Sequence, residues 1–249
     1  MRLQTQGLII KETNVGENDK LIVILTRENG IVRAFADGAR RMKGKNASAT
    51  SLFCYADFIL FKGKDTYKVN EIIPKELFFN LRYNLEGFSL AQYFCEIAQK
   101  IIPEDFEPAD FLKLLLNSLH FLTEKTLPLL QIKAITEFKA ACLAGFMPDL
   151  INCAACGGLK EEPIYFFTEE AVIYCKSCMP AYGERILLNN TLLAAMRHII
   201  YSGFNKLYRF TIPDTDLKKL SGITEKYLSR QSDTHFKTLD FFYSIQKNC

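Results

Sequence analysis

Four cysteines constrain this chain more than any other feature. Cys153 and Cys156 form one C-x-x-C pair, Cys175 and Cys178 form a second, and 18 residues separate the pairs. Two residues between thiols let one tight turn aim both sulfurs at one point, and two such knuckles complete a tetrahedron. The spacing predicts one Zn2+ held by four thiolates. Four protein ligands leave no position open for water, so the predicted site is structural. Two redox C-x-x-C pairs would want a βαβ context, which the flanking residues lack. Instead, Ile164–Phe167 and Ala171–Tyr174 read as two short strands, and Gly157-Gly158 supplies permissive turn residues. Lys160 and Lys176 face Glu161, Glu162, Glu169 and Glu170, a net charge of −2 that does not suit a phosphate-binding surface. The module is therefore expected at about 150–182 as a clasp, and function has to be sought elsewhere.

Charge points to the other end of the chain. Lys+Arg 31 nearly balances Asp+Glu 28 overall, but residues 1–75 carry a net +5 and the remainder a net −2. A basic N-terminal surface makes nucleic acid the first candidate partner. The start, Met1 to Gly7, has no signal-peptide core, and no apolar run approaches the roughly 18 residues of a membrane span. A cytoplasmic protein with no membrane partner is expected. In that reducing compartment paired cysteines favour metal over disulfide. Cys54, Cys95 and Cys142 stand singly in apolar runs and are read as buried core residues.

At 249 residues the chain suits two or three domains. Runs at Gly7–Thr13, Lys20–Thr26, Ile31–Ala36, Leu52–Phe61 and Tyr67–Ile73 read as strands, with Asn29-Gly30 as a hairpin signal. Five short strands with a long connection after the third fit a small barrel, of which the oligonucleotide-binding (OB) fold is one kind and an SH3-like barrel another. Pro74 marks a change of regime. Helical periodicity follows over Leu77–Ile102, Ala109–Leu122, Leu127–Gly145, Asn190–Tyr201, Asp214–Ser229 and Ser232–Lys247. Asn190 or Thr191 is the expected cap of the fourth helix, and Pro213 with Asp214 the expected start of the fifth. The expected fold class is α+β and multidomain: a five-stranded barrel at 1–76, then an all-α domain at 77–249 interrupted by the zinc module.

The basic stretch Arg40-Arg41-Met42-Lys43-Gly44-Lys45 puts four cations within six residues, surrounded by glycine and small polar side chains. A mobile cationic loop beside a barrel would neutralise phosphates without reading sequence. Arg33, Lys62, Lys64 and Lys68 extend the patch if they share its side. The competing reading is a solvated loop. Among the aromatics of this region, Phe35, Phe53, Tyr55, Phe58, Phe61 and Tyr67, roughly half should face inward, and Tyr55 and Tyr67 are expected to be the more exposed because a buried hydroxyl needs a partner.

Enzymatic signatures are lacking. There is no G-x-x-x-x-G-K-[ST] loop, no G-x-G-x-x-G and no G-x-S-x-G. His120, His198 and His235 are scattered. A binding protein, not an enzyme, is expected. A zinc-ribbon RNA-binding protein or transcription accessory would use the same barrel and cations.

The order of parts and a set of short motifs resemble the RecO family of bacterial recombination mediators. The motifs are Gly16-Glu17-Asn18-Asp19-Lys20-Leu21, Thr26, Gly30, Gly38-Ala39-Arg40-Arg41 with Lys43, and Pro148 before the paired cysteines. The resemblance spans nearly the whole chain. It implies an OB-fold barrel, a helical domain and a zinc module. It also implies binding of single- and double-stranded DNA, annealing of complementary strands, and work with RecR to load RecA onto DNA coated by single-strand-binding protein (SSB). The acidic SSB tail is an implied partner, and a nucleoid-associated location is implied. Arg40, Arg41 and Lys43 carry over as DNA contacts, with Arg33 and Lys45 the neighbouring candidates. Two departures stand out. Asp37 occupies a position that is basic in many relatives, and Glu169-Glu170-Ala171 stands where relatives with the zinc segment often have a Gly-Gly pair.

Overall fold

The structure, a computed structural model, describes residues 2–41, 48–64, 66–102, 108–158 and 163–246. Five strands open the chain: β1 (Arg2–Val15), β2 (Asp19–Thr26), β3 (Ile31–Ala36), β4 (Tyr55–Lys62) and β5 (Tyr67–Glu76). They close in the order β1-β2-β3-β5-β4, with β4 returning to β1 and a short parallel pairing between β3 and β5. This is the OB arrangement, and it decides between the two barrels that the strand pattern allowed. Alternation sets the interior. Ile22 and Ile24 of β2, Val32 and Ala34 of β3, and Ala56, Phe58 and Leu60 of β4 fill it, with Ile9, Cys54 and Ile72.

Two strands are longer than the pattern predicts. β1 extends five residues before Gly7, because Arg2–Leu8 pairs with Phe61–Tyr55 of β4. β5 runs through Pro74, which pairs with Ala56 next to a register shift, the kind of irregularity where a residue lacking an N–H is tolerated. The predicted helix at Leu77 therefore starts later. A short 3-10 helix, Phe79–Tyr83, intervenes, and α1 (Leu85–Ile101) begins where the Asn84 side chain accepts a hydrogen bond from Gly87 N at 3.3 Å.

The helices are α1, α2 (Ala109–Glu124), α3 (Leu129–Leu143), α4 (Asn190–Tyr201), α5 (Asp214–Ser232) and α6 (Lys237–Gln246). The cap of α4 is Asn189, one residue before the expected pair, accepting from Leu192 N at 2.8 Å. α5 runs to Ser232 and ends at Asp233, whose φ of 46° turns the chain; the last helix therefore begins at Lys237, five residues after the expected start. No helix among the described residues is long and apolar enough to cross a membrane.

Two compact units result, one of residues 1–124 with 237–249 and one of 125–236. In the first, α1 and α2 cover the outer face of β1 and β2, where Leu8, Ile10, Val23 and Leu25 are buried, and α6 returns to pack on α1. Gln99 of α1 donates to Ile10 O at 3.3 Å. In the second, α3 and α5 form the central pair beside a four-stranded sheet, β6 (Asp149–Cys153), β7 (Ile164–Phe167), β8 (Val172–Cys175) and β9 (Arg185–Leu188), in the order β6-β8-β7-β9. The cysteine module thus carries two strands beyond the predicted hairpin.

Candidate nucleic-acid interface and metal centre

The residues around Gly16 and those after β3 form one connected turn. Gly16 and Gly38 both adopt left-handed backbone, φ 57° and 62°, open to glycine without steric cost. The Asp19 carboxylate accepts a hydrogen bond from Gly38 N at 2.7 Å. Arg40 N donates to Asn18 O at 2.9 Å, and Arg41 N closes the turn on Gly38 O at 3.1 Å. Ala39 is buried, 1% exposed, so it anchors the turn and leaves Arg40 and Arg41 outside. Arg40 Nη1 donates to Gly16 O at 3.1 Å. A guanidinium has five donors, which leaves several for a phosphate.

The remaining predicted cations fall as follows. Arg33 is exposed on the outer face of β3, opposite Val23 of β2. Lys43 and Lys45, and with them most of the expected mobile loop, lie outside the described residues. Lys62 and Lys64 are exposed at the β4–β5 connection. Lys68 lies 2.5 Å from Asp37, and that carboxylate holds its ammonium pKa above the ordinary value. Both members are more than half open to solvent or close to it, at 63% and 50%, so the pair is weak and can open to a competing anion.

The aromatic expectation holds in part: Tyr55 and Tyr67 are more open than the buried Phe53 and Phe58, but less open than Phe61. Tyr55 is half-buried and donates to Gln6 Oε1 at 3.0 Å, and Tyr67 packs against the barrel core. Tyr55 precedes the inward Ala56 and so faces out, whereas Tyr67 pairs with the inward Ala34 and shares the inner face of β5 with Val69. The exposed ring is Phe61, 46% open, with Phe35 half-buried. Strand alternation carries that signal, since Leu60 points inward and Phe61 must then point out.

The cysteine quartet converges. The four Sγ atoms lie within 4.8 Å of one another, although Cys156 and Cys175, whose sulfurs are 3.9 Å apart, are 19 positions apart in sequence. A tetrahedral ion with bonds of about 2.3 Å would need sulfurs roughly 3.8 Å apart. Local folding explains the approach. Cys153 ends β6 and Cys175 ends β8, which pair in parallel, and Gly157, φ 69°, turns Cys156 back so that Gly157 N donates to Cys153 O at 2.9 Å. Burial works against a Cys153 thiolate, yet N–H groups at Cys156, Cys175 and Ala155 aim at the sulfur and push its pKa down to about 6. Cys175 is lowered too, first by the Ser177 hydroxyl, whereas Cys178 is pushed up to about 12 by its hydrogen bonds with Cys175 and Cys156. Thiols this close cannot all ionise without a cation between them. A bound divalent ion removes that conflict, so the donor set fits a metal and could hold one.

The hairpin keeps a turn at this point. Ala171 adopts φ 58° and offers its carbonyl to Asp149 N at 2.8 Å. The hairpin keeps its shape with a side chain in a left-handed position. Cys54 and Cys95 are buried core residues as expected, whereas Cys142 is half-buried; burial raises the Cys54 pKa to about 11 and that of Cys142 to about 12. His198 is held by Lys206 O at 3.0 Å and Ser202 Oγ at 3.3 Å.

Comparison with known proteins gives concordant matches. Residues 1–78 match the model described as Recombination protein O N terminal, and residues 82–240 match Recombination protein O C terminal. The chain is 30% identical to the DNA repair protein RecO of Acetivibrio thermocellus, over 98% of each chain. It is 27% identical to the protein of the same name from Alkaliphilus metalliredigens, over 98% of this chain and 100% of that one. It is also 27% identical to that of a Thermoanaerobacter species, over 98% of each.

Proposed function

The chain belongs to the recombination protein O (RecO) family, and on that premise we propose that it is a DNA-binding recombination mediator in bacterial DNA repair. The reading assigns nucleic-acid binding to the barrel, residues 1–76, and a structural zinc module to 150–182 within a helical domain at 77–249. The barrel binds single- and double-stranded DNA through Arg33, Arg40, Arg41, Lys43 and Lys45. Annealing then needs no covalent step. Two complementary strands repel, and a basic platform that neutralises both lets them meet. With RecR the protein helps RecA replace SSB, whose acidic tail it engages. It acts in the cytoplasm, at the nucleoid, as a binding protein without enzymatic activity.

One observation carries the DNA-binding part. Two motifs distant in sequence, Gly16 to Asp19 and Gly38 to Arg41, are locked together by the Asp19–Gly38 and Asn18–Arg40 hydrogen bonds. Their joint product is a pair of exposed arginines, Arg40 and Arg41. The test is a salt titration of binding to a fluorescent single strand. Four phosphate contacts give a log–log slope near −3, at roughly 0.7 per contact. Replacing Arg40, Arg41, Lys43 and Lys45 by alanine flattens it. An unchanged slope and affinity removes the loop from the mechanism.

The zinc assignment to Cys153, Cys156, Cys175 and Cys178 rests on the sulfur spacing and on the thiolate conflict. Zinc there supplies only cross-linking of two turns. Metal analysis of protein purified without chelator is expected to give one equivalent, and Cys175→Ser is expected to lose it.

A further inference from the structure

The barrel pairings place alternating charge and ring on one surface line. Arg2 of β1 lies opposite Phe61 of β4, Phe61 lies opposite Lys68 of β5, and Lys68 lies opposite Phe35 of β3. Directly opposed residues share a face of the sheet. That face is the outer one, because the neighbours Leu3, Leu60, Val69 and Ala34 all pack toward the interior. The row therefore reads cation, ring, cation, ring across four strands. Arg33, two residues before Phe35, shares the same face of β3. No two of these positions are adjacent in sequence, so no linear motif announces the row.

From this register we infer that Arg2, Phe61, Lys68 and Phe35 form a stacking track for unpaired bases, in which Phe61 gives the protein its preference for single strands over duplex. The inference rests on the DNA-binding reading above and extends it to a different surface from the arginine turn. Its chemistry is that of single-strand binding: a ring offers a π-face to any base, and flanking cations take the phosphates on either side. Adjacent strands are about 4.8 Å apart, so Phe61 and Phe35 lie roughly 10 Å apart along the sheet, room for two or three nucleotides of one strand. Duplex bases are already stacked and present no face to a ring. The track has boundaries. Glu71, opposite Ile59 in the next row, repels phosphate on one side. On the other, Asp37 holds Lys68 and leads into the turn that carries Arg40 and Arg41, which makes the exposed Lys68–Asp37 pair the contact that a phosphate must displace.

The chain contains no tryptophan, so Phe61→Trp introduces a single fluorophore at a position already 46% exposed. The experiment uses the full-length protein with oligo(dT) and a duplex of equal length at fixed salt. Phe61→Ala is expected to weaken oligo(dT) binding about 10-fold, the loss of one stacked base, and to change duplex binding less than twofold. Phe61→Trp is expected to keep wild-type affinity and to be quenched by oligo(dT) but not by duplex. Arg2→Ala with Lys68→Ala is expected to reduce the single-strand salt slope by about 1.4. An equal loss on both substrates, no loss, or an unquenched tryptophan in a protein that binds oligo(dT) overturns the track while leaving the DNA-binding reading intact. Wild-type protein that binds neither substrate overturns both. If Phe61→Ala fails to fold, the tryptophan variant, which keeps the ring's bulk, still decides.

Discussion

Asp19 and Gly38, nineteen positions apart, meet in a 2.7 Å hydrogen bond from the Gly38 N–H to the Asp19 carboxylate. The bond fastens the start of β2 to the turn that projects Arg40 and Arg41. Asp19→Ala removes the acceptor, whereas Asp19→Asn keeps one in place. Both remove the same negative charge, so the difference between them reports the hydrogen bond. Asp19→Ala is expected to cost about 1–2 kcal/mol more than Asp19→Asn in chemical denaturation and to bind single-stranded DNA several-fold more weakly. Equal behaviour of the two variants would detach the bond from the function.

Lys133 and Glu137 form a wholly buried ion pair, one turn apart on α3 at 2.8 Å and both 0% exposed. Lys133 also reaches Glu225 at 2.8 Å and Ser221 Oγ at 3.3 Å on α5, and Thr224 donates to Glu137 at 2.7 Å. Removing one partner strands the other charge in the core. Lys133→Ala is expected to cost about 3–5 kcal/mol, while Lys133→Met with Glu137→Leu together cost much less. Denaturant midpoints of the two variants provide the comparison.

Ala171 holds a φ of 58° that glycine adopts freely. Ala171→Gly is expected to stabilise the hairpin by about 1 kcal/mol, because relief of the left-handed strain exceeds the added freedom of the unfolded chain. Thermal unfolding of the metal-loaded protein measures it, and a lower midpoint would show that the strain is not there to relieve.

Glu96 couples α1 to α6. Its carboxylate accepts from Thr238 N at 2.9 Å, in the first turn of α6, and lies 2.8 Å from Lys100 Nζ. Burial alone would raise its pKa, but the hydrogen bonds from Lys100 and Thr238 outweigh that and hold it below its ordinary 4.5. A depressed carboxylate contributes stability that is present above the ordinary value and is lost as pH falls through the lowered one. Acidification below pH 4.5 should therefore loosen α6 first, seen as faster amide exchange over Lys237–Gln246. Glu96→Gln should exchange faster there at neutral pH and lose the acid step.

Much of this protein was legible from local chemistry. The C-x-x-C spacing named a ligand set that the tertiary structure does assemble, and alternation marked the five barrel strands, with their ends displaced by a few residues. What misled were features whose sense depends on a partner strand or helix. Pro74 looked like a boundary and lies within β5, because the register shift beside Ala56 accommodates it. Helical periodicity over Leu127–Gly145 did not reveal that α3 also buries Lys133 and Glu137, which meet Glu225 and Thr224 of α5. β6 and β9 were missed because each is a short strand defined by pairing with β8 and β7.

The sequence by itself determined the elements whose physics is local: which cysteines share a turn, where glycine permits a left-handed bend, and which strand residues alternate inward. Tertiary structure alone decided which distant residues became neighbours. Period-two alternation says that Phe61 faces out, but not that Arg2 and Lys68 flank it, since register is set by pairing between strands up to sixty residues apart. Likewise the four thiols are two local pairs until the parallel pairing of β6 with β8 brings them to one point.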